Sequence, residues 1–219
     1  MRNIIQFILM TISIASTAYS SNIIIISAAH IEAKPTIDAC EAAGIPVEYM
    51  QMGVSINAAF HSYHVGQSCA GKHVIYIGSA GTFGEFAGPF LVTTAEVYWM
   101  PEAQRLNLGD SLPSLFPPIA MWSPYLSASL PQKYILTSPT ISLTNAINIS
   151  GLPEPAQLVE NMELYYVASA IMKNAETFDV IVGITNAVGP NSAAQYAANK
   201  KIVAEMTATF VVEHLQGHK

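Results

Sequence analysis

The chain has 219 residues, a length that suits one α/β domain better than two. Apolar residues make up 51% of the chain and charged residues only 11%, which excludes an intrinsically disordered protein. The net charge is −6 and the sequence contains no basic run, so we do not expect a nucleic-acid partner held through its phosphates.

The first twenty residues have the pattern of a secretory signal peptide. Arg2 supplies the positive start, residues 4–15 are apolar and uncharged, and Ala18 and Ser20 are the small residues that a signal peptidase reads. The apolar stretch is shorter than the roughly 20 residues of a membrane-spanning helix. We therefore predict a signal peptide over residues 1–20, a single domain over 21–219, and a secreted or periplasmic location. An uncleaved anchor is the alternative, and the location is cytoplasmic if this segment is not a signal.

Predicted strands and helices alternate along the mature chain. Hydrophobic periodicity predicts strands over residues 22–27, 47–52, 73–77, 90–98, 134–142 and 180–185. It predicts helices from residue 32 or 35 to 43, and over 56–67, 158–172 and 192–215. Residues 100–131 are rich in Pro, Ser and Leu and read as a long surface loop. This alternation predicts a largely parallel sheet with helices on both faces.

Cysteines and histidines give no metal signature. Cys40 and Cys69 are too few for a disulfide framework or a cysteine-rich zinc site. We expect two buried thiols, with one disulfide as the alternative in an exported chain. His61 and His64 lie three residues apart on a predicted helix without an evident third ligand, so we interpret them as a helix surface. The sequence predicts no metal and no cofactor.

Four segments follow predicted strands at the sheet edge where ligands of parallel α/β proteins bind. These segments are residues 28–32, 78–84, 140–142 and 186–190. Each contains small or polar residues directly after an apolar strand. The sequence therefore predicts a ligand site built from four distant parts of the chain.

Five motifs in order resemble those of the nucleoside phosphorylase and nucleosidase superfamily. They are SAAHIE (27–32), GVSINAA (53–59), IGSAGTFG (77–84), ENMELYYVA (160–168) and ITNAVGP (184–190). Within the superfamily the chain looks most like the futalosine hydrolases and next most like the methylthioadenosine/S-adenosylhomocysteine nucleosidases. The resemblance implies a three-layer αβα sandwich around a mixed, largely parallel sheet, and hydrolysis of a purine nucleoside at its N-glycosidic bond.

The resemblance also assigns roles to two carboxylates. Glu32 corresponds to the acid that orients and deprotonates the attacking water, and its charge would stabilise the cation that develops on the sugar. Glu163 lies in the position of the family's Met-Glu pair, where a carboxylate accepts hydrogen bonds from the ribose 2′- and 3′-hydroxyls. Met162 would pack on the sugar. Read without the resemblance, Glu32 could serve only the helix dipole, and Glu163 could be a solvated helix residue.

Asn186 departs from the methylthioadenosine nucleosidase pattern, which has Asp at this position. An amide is no general acid, but it can accept a hydrogen bond from N7–H and donate one to O6 of a 6-oxopurine. It therefore suits hypoxanthine or guanine better than adenine, in keeping with the futalosine hydrolases. A support for the turn before Gly189 is the alternative.

Further residues are assigned to the substrate by resemblance. Ser79, Ala80 and Gly81 follow a buried strand, where small residues let the backbone approach a ligand, and Ser79 would hold the water or a phosphate. Ile141 and Ser142 lie near the segment that covers the base in relatives. The aromatic residue that stacks on the base is not obvious there, so we consider Phe83 or the long loop for this role.

Water is the expected nucleophile because Arg105 is the one arginine of the mature chain, whereas phosphate needs a cluster of donors. A purine nucleoside phosphorylase and a non-catalytic nucleoside-binding protein on the same fold remain alternatives. Relatives are often homodimers, so we expect a second copy of the chain as partner, with residues 100–131 as a possible interface.

Overall fold

A computed structural model describes residues 22–99, 118–120, 126–140, 142 and 152–217 of the chain. Its strands are β1 Ile23–Ser27, β2 Glu48–Gln51, β3 His73–Thr82, β4 Phe90–Trp99, β5 Ile119–Ala120, β6 Gln132–Thr137, β7 Leu158–Asn161 and β8 Thr177–Ala187. Its helices are α1 His30–Ala42, α2 Ile56–Ser68, α3 Leu164–Ile171 and α4 Ser192–Gly217. The predicted signal peptide lies outside the described residues.

All eight strands belong to one mixed sheet. Its order is β2-β1-β3-β7-β6-β4-β5, and β8 pairs with both β3 and β4. The pairs β1–β2, β1–β3, β3–β8, β4–β6 and β6–β7 are parallel, whereas β3–β7, β4–β5 and β4–β8 are antiparallel. Strands β3, β8, β4, β6 and β7 thus close into a ring, with β1 and β2 extending from β3.

Helices cover both faces of this sheet in pairs. Helices α1 and α4 pack together over one apolar core, which includes Ile25, Ile75 and Ile181. Helices α2 and α3 pack together over the other, which includes Ile24, Tyr76 and Val180. Because neighbouring residues of β1 alternate between the two cores, its continuous isoleucine run fits a strand buried on both faces. The predicted αβα sandwich around a mixed, largely parallel sheet is confirmed.

Two predicted element types are wrong. The strand predicted over 73–77 was expected to end before residue 78, but residues 78–82 continue β3, because Gly78 and Ser79 pair with β8 and Gly81 pairs with β7 and β8. Residues 158–161 were expected as the first turn of a helix, but they form β7, and α3 begins only at Leu164. All four residues of β7 are buried, and periodicity cannot tell so short a buried strand from a buried helix.

Other boundaries differ less. Helix α1 begins at His30, before the predicted start, and contains Pro35 in its second turn. Strand β6 ends at Thr137 rather than at residue 142, so Ser138 to Thr140 belong to a bend after it. Helices α2 and α4 begin at the predicted residues.

Part of the predicted loop over 100–131 lies outside the described residues. Its described parts are β5 and a stretch that contains the 3-10 turn Ser127–Ser129. Asp179 of β8 fixes this turn, because its Oδ1 accepts hydrogen bonds from the backbone N–H groups of Leu126 and Ser127 and from the Ser127 hydroxyl, each at 2.9 Å. Among the helices within the described ranges, none is long and apolar enough to span a bilayer.

Both cysteines are free and buried, as expected. Cys40 belongs to the core under α1 and α4, whereas Cys69 belongs to the core under α2 and α3. The sheet therefore separates the two thiols, and burial raises the pKa of each to about 11.

Candidate active site

One cleft of about 320 Å³ gathers the predicted site residues that the structure describes. Its walls include Glu32, Ser79, Ala80, Gly81, Met162, Glu163 and Asn186. They come from the start of α1, the second half of β3, the turn after β7 and the end of β8, so the sheet topology brings together four distant parts of the chain. Ile141 lies outside the described residues. The roles given to these residues remain predictions.

Glu32 lies in the first turn of α1, with its carboxylate held from two sides. The Ser79 hydroxyl donates to its Oε1 at 2.6 Å, and the backbone N–H of Ala29 donates to its Oε2 at 3.3 Å. The second bond caps the helix and therefore fixes the direction of the side chain. Burial raises the pKa of Glu32, and the hydrogen bonds from Ser79 and Ala29 oppose that rise. The result is a positioned carboxylate with a stronger affinity for a proton than an exposed one has.

Glu163 lies directly before α3 and is only 5% exposed. Its Oε1 accepts a hydrogen bond from the backbone N–H of Ser55 at 3.0 Å. The pKa of Glu163 is raised to about 7: burial raises it most, the hydrogen bond from Ser55 lowers it, and the negative charge of Glu32 raises it. Both carboxylates line the same cleft, where the charge of one disfavours the charged form of the other.

Ser55, which donates a hydrogen bond to Glu163, has a strained backbone conformation. Its φ is 56° and its ψ is −126°, a conformation that L-residues avoid at a cost of about 1–3 kcal/mol. Its hydroxyl donates to the Pro139 carbonyl at 2.6 Å while its N–H donates to Glu163. These two bonds tie the loop before α2 to the bend after β6 and to the cleft.

Asn161 positions the backbone on both sides of the site. Its Oδ1 accepts from the backbone N–H groups of Glu163 at 2.9 Å and Leu164 at 2.8 Å, which caps α3. Its Nδ2 donates to the Ser79 carbonyl and to the Tyr76 hydroxyl, both at 3.1 Å. One buried amide thus joins the strand that carries Ser79 to the turn that carries Glu163.

Asn186 is the penultimate residue of β8 and has a defined amide orientation. Its Nδ2 lies 2.9 Å from the Ala187 carbonyl, which can only accept, so the nitrogen must face that carbonyl. Its Oδ1 accepts from the Thr185 hydroxyl at 2.7 Å. These bonds use one hydrogen of the nitrogen and one lone pair of the oxygen. The amide therefore keeps one donor and one acceptor position for a ligand.

The charged residues of the cleft are all acidic. Glu32, Glu160 and Glu163 line it, and none of the lining residues that the structure describes is Lys, Arg or His. Within the described ranges, His, Cys, Asp and Glu side chains form no group of three or more that could hold a metal ion. The field of this cleft favours a developing cation and repels an anion.

The structure adds four residues that the motifs did not single out: Ser55, Glu160, Asn161 and Tyr196. Tyr196 of α4 lines the cleft beside Ser79, and a hydrogen bond between the two side chains lowers its pKa against the larger, opposite effect of burial. Glu160 and Asn161 were missed because residues 158–161 were predicted as helix. Assigned as a strand end, they would have been flagged by the rule that placed the other four segments. Neither Ser55 nor Tyr196 carries a comparable sequence signal.

Phe83, which we considered for stacking on the base, and His30 of the motif SAAHIE are not among the residues that line the cleft. Phe83 is buried with Leu136, Leu158 and Val188 in a small apolar cluster and is not among the residues that line the cleft, so its proposed place over the base is not supported. His30 is exposed and its ring meets Tyr49 edge-on at 5.2 Å. Arg105 lies outside the described residues.

No protein-family model matches the chain. No curated protein matches its sequence. Solved structures do match. A mutant 5′-methylthioadenosine/S-adenosylhomocysteine nucleosidase of Helicobacter pylori, with 5′-methylthioadenosine in its active site, superposes with a TM-score of 0.67 at 15% identity over 89% of this chain and 98% of its own. The nucleosidase of Neisseria meningitidis in complex with methylthio-immucillin-A gives a TM-score of 0.67 at 16% identity, with the same coverage of each chain.

A futalosine hydrolase mutant of Helicobacter pylori matches with a TM-score of 0.66 at 13% identity, again over 89% of this chain and 98% of that one. The chain has the nucleosidase fold. TM-scores of 0.66–0.67 establish that fold, whereas identities of 13–16% leave the chemistry of this chain to be argued from its own residues.

Proposed function

We propose that the protein hydrolyses the N-glycosidic bond of a purine nucleoside. One observation carries this proposal: the carboxylates of Glu32 and Glu163 line the same cleft as the amide of Asn186. That amide keeps one donor and one acceptor position for a ligand. The fold that the chain shares with solved nucleosidases supports it.

In the proposed reaction, water attacks C1′ while the bond between C1′ and N9 breaks. Glu32 takes a proton from the water and later returns it to solvent. The electron pair of the broken bond goes to the purine, which takes up a proton from solvent. Glu163 accepts hydrogen bonds from the ribose hydroxyls, and both carboxylates stabilise the positive charge that develops on the sugar.

Water is preferred over phosphate as nucleophile because three glutamates line the cleft without a cation among the described lining residues. Phosphate brought next to Glu32 would meet like charge instead of the donors it needs. A phosphorylase is therefore the second candidate. A protein that binds nucleosides without cleaving them is the third, because Glu163 and Asn186 alone would serve binding.

The proposed base is a 6-oxopurine, as in futalosine-like nucleosides, with a methylthioadenosine-type substrate as the alternative. The remaining acceptor of Asn186 faces N7–H and its remaining donor faces O6. In Asn186→Asp the donor to O6 is replaced by an acceptor, so the preference should shift toward 6-aminopurines. Rates with inosine and methylthioadenosine would measure the shift, and a wild type that strongly prefers methylthioadenosine would contradict this assignment.

The test of the reaction is release of free base in phosphate-free buffer. Purified wild type is incubated with inosine, futalosine and methylthioadenosine, and Glu32→Gln is assayed beside it. We expect base release by the wild type and a loss of about 10²–10⁴-fold in kcat for Glu32→Gln, with the affinity for free base retained. Release that depends on added phosphate favours the phosphorylase, and saturable binding without release favours the binding protein.

We further propose export of the mature domain, on the signal-like pattern of residues 1–20. An exported enzyme would act on nucleosides outside the cytoplasm rather than on a biosynthetic intermediate. The mass of the protein purified from the cells that naturally produce it tests this proposal. A chain that retains residues 1–20 would contradict cleavage.

A homodimer is proposed on an exposed apolar face beside the cleft. Ile56, Phe60 and Tyr63 lie on one side of α2 and are 59%, 73% and 70% exposed. Val54, which lines the cleft, continues this face and is 47% exposed. Exposed apolar side chains grouped in this way mark interaction surfaces.

A further inference from the structure

A second cavity, which we call the rear cavity, lies next to the cleft between α1 and α4. It has a volume of about 360 Å³, and its walls come from the first two turns of α1, the middle of β3 and one side of α4. Glu32, Ser79 and Tyr196 line both the rear cavity and the cleft. These three side chains therefore stand between the two spaces, and the proposed reaction uses only their cleft side.

The outer part of the rear cavity reaches the protein surface. Lys34 of α1 and Lys201 of α4 line it, and their side chains are 57% and 85% exposed. Ile31, which also lines it, is exposed as well. Because these exposed residues share one space with Glu32, the rear cavity gives water a path to Glu32 that does not pass through the cleft.

Polar groups at both ends of the rear cavity suit water. Thr207 lines it and is fully buried, and its hydroxyl has no hydrogen-bond partner among the described residues. Buried hydroxyls without a protein partner are normally satisfied by ordered water. At the other end, Glu32, Ser79 and Tyr196 supply the two to four polar partners that a buried water needs. The volume corresponds to about twelve water molecules of the liquid.

The proposed hydrolysis needs such a path, because a bound nucleoside covers the cleft side of Glu32. Each turnover consumes one water at C1′ and leaves one proton on Glu32, and both must be exchanged with solvent. The Ser79 hydroxyl donates to Oε1 of Glu32 at 2.6 Å. Once Glu32 holds the proton, the Ser79 oxygen can take it up while its own proton passes to a water in the rear cavity. Ser79 is then again a hydroxyl and Glu32 again a carboxylate.

We propose that the rear cavity is the route by which water reaches Glu32 and by which the proton leaves it while a nucleoside fills the cleft. This inference rests on the proposed function and deepens it, because it assigns a separate path to the second substrate of the hydrolysis. Ser79 serves this path as a proton carrier, in addition to its hydrogen bond that positions Glu32.

Reversible blocking of the rear cavity tests this route. Ala204 of α4 lines the rear cavity but is not among the residues that line the cleft, so Ala204→Cys places a thiol in the proposed path. Benzyl methanethiosulfonate attaches a bulky thiobenzyl group to this thiol, and dithiothreitol removes it. The native thiols of Cys40 and Cys69 are buried and have a pKa raised to about 11, so they should react slowly.

We expect labelled Ala204→Cys to lose about tenfold in kcat for inosine, because entry of water and loss of the proton become limiting. KM for inosine and the calorimetric affinity for hypoxanthine should stay unchanged, and dithiothreitol should restore kcat. The thiol should also react when hypoxanthine fills the cleft. Ala198→Cys on the exposed side of α4 is the matched control, which should keep full activity after labelling.

A second variant approaches the rear cavity from its opposite wall. Ile31 of α1 is exposed, so Ile31→Cys should fold as the wild type does, even if Ala204→Cys does not. Labelling of Ile31→Cys should give the same selective loss of kcat, because the label enters the same space. A loss that appears with one label only would point to a local disturbance of that helix and would contradict the shared route.

Three further results would overturn the route. These are full kcat after complete labelling, a thiol at residue 204 that does not react while hypoxanthine is bound, and a loss of hypoxanthine affinity that parallels the loss of kcat, which indicates a deformed cleft. If the wild type hydrolyses inosine but labelling has no effect, this inference fails while the proposed function stands. If the wild type releases no base from any nucleoside, the proposed function itself fails.

Discussion

Glu163, the carboxylate assigned to the ribose, is buried and has a pKa raised to about 7, and this sets an expected pH dependence. The group binds ribose hydroxyls best as a carboxylate, so activity should fall as the pH drops through about 7. We expect an acid limb near that pH in the profile of kcat/KM for inosine. A limb near 4.5, the ordinary value for Glu, would contradict the assignment.

The same pKa shift predicts a stability effect. A carboxyl whose folded pKa lies above its unfolded value keeps its proton more tightly when folded, so stability is lost as pH rises from about 4.5 to 7. Glu163→Gln has no proton to lose there and should be more stable than the wild type at pH 8, by on the order of 3 kcal/mol. Urea unfolding at pH 5 and pH 8 measures the difference. Exposed Glu205→Gln on α4 is the matched control and should show no such gain.

The two effects have opposite directions. The charge that would bind the sugar is the charge that destabilises the ligand-free protein, so a gain in stability should accompany the loss of nucleoside affinity. A Glu163→Gln protein that loses stability at pH 8 would mean that the side chain serves packing instead of a ligand.

At the scale of elements, β8 and α4 approach each other at Gly183. A Cβ added there would lie 1.6 Å from a methyl carbon of Val203. Gly183→Ala should therefore destabilise the protein by about 1–3 kcal/mol, because the well-packed core has no room to shift. Urea unfolding gives the value.

Val203→Ala provides the control for that clash. It removes the methyl groups that meet the added Cβ, so the double variant should lose less stability than the two single variants together. Strictly additive losses would show that the strain lies in the backbone and not in this contact.

The strands also show which secondary structure could be predicted from the sequence. The isoleucine run of β1 and the valine and isoleucine run of β8 predict buried strands, because charge is absent over a length too short for a helix. The predictions for residues 78–82 and 158–161 were wrong because the secondary structure of these residues depends on strand pairing. Gly78 and Gly81 read as a turn until β8 and β7 are placed beside them, and Leu158 to Asn161 become a strand through pairing with β6.

The same distinction applies to the site residues. Glu32, Glu163 and Asn186 were predicted to be functional because a charge or an amide next to an apolar run needs a reason, and the resemblance to the superfamily motifs supplied one. Glu160 and Asn161 carry the same signal but were assigned to a helix. Ser55 could not be found from sequence, because its positive φ follows from bonds to Pro139 and Glu163, which lie far away in the chain.

At the scale of the whole molecule, the apolar face of α2 predicts the assembly state. Phe60→Glu places a charge in the centre of the proposed interface and should convert the proposed dimer into monomers. Sedimentation of wild type and variant measures this, with exposed Gln216→Glu near the end of α4, on the other face of the sheet, as the control. A monomeric wild type would contradict the proposed homodimer.

The two free thiols on opposite sides of the sheet have a consequence for where the protein can fold. A pair separated by a whole layer of strands cannot be joined by an oxidant, and thiols with a pKa of about 11 are scarcely ionised at neutral pH. The folded protein therefore does not form a disulfide between Cys40 and Cys69. The fold can form in a reducing or an oxidising compartment without help from a disulfide isomerase.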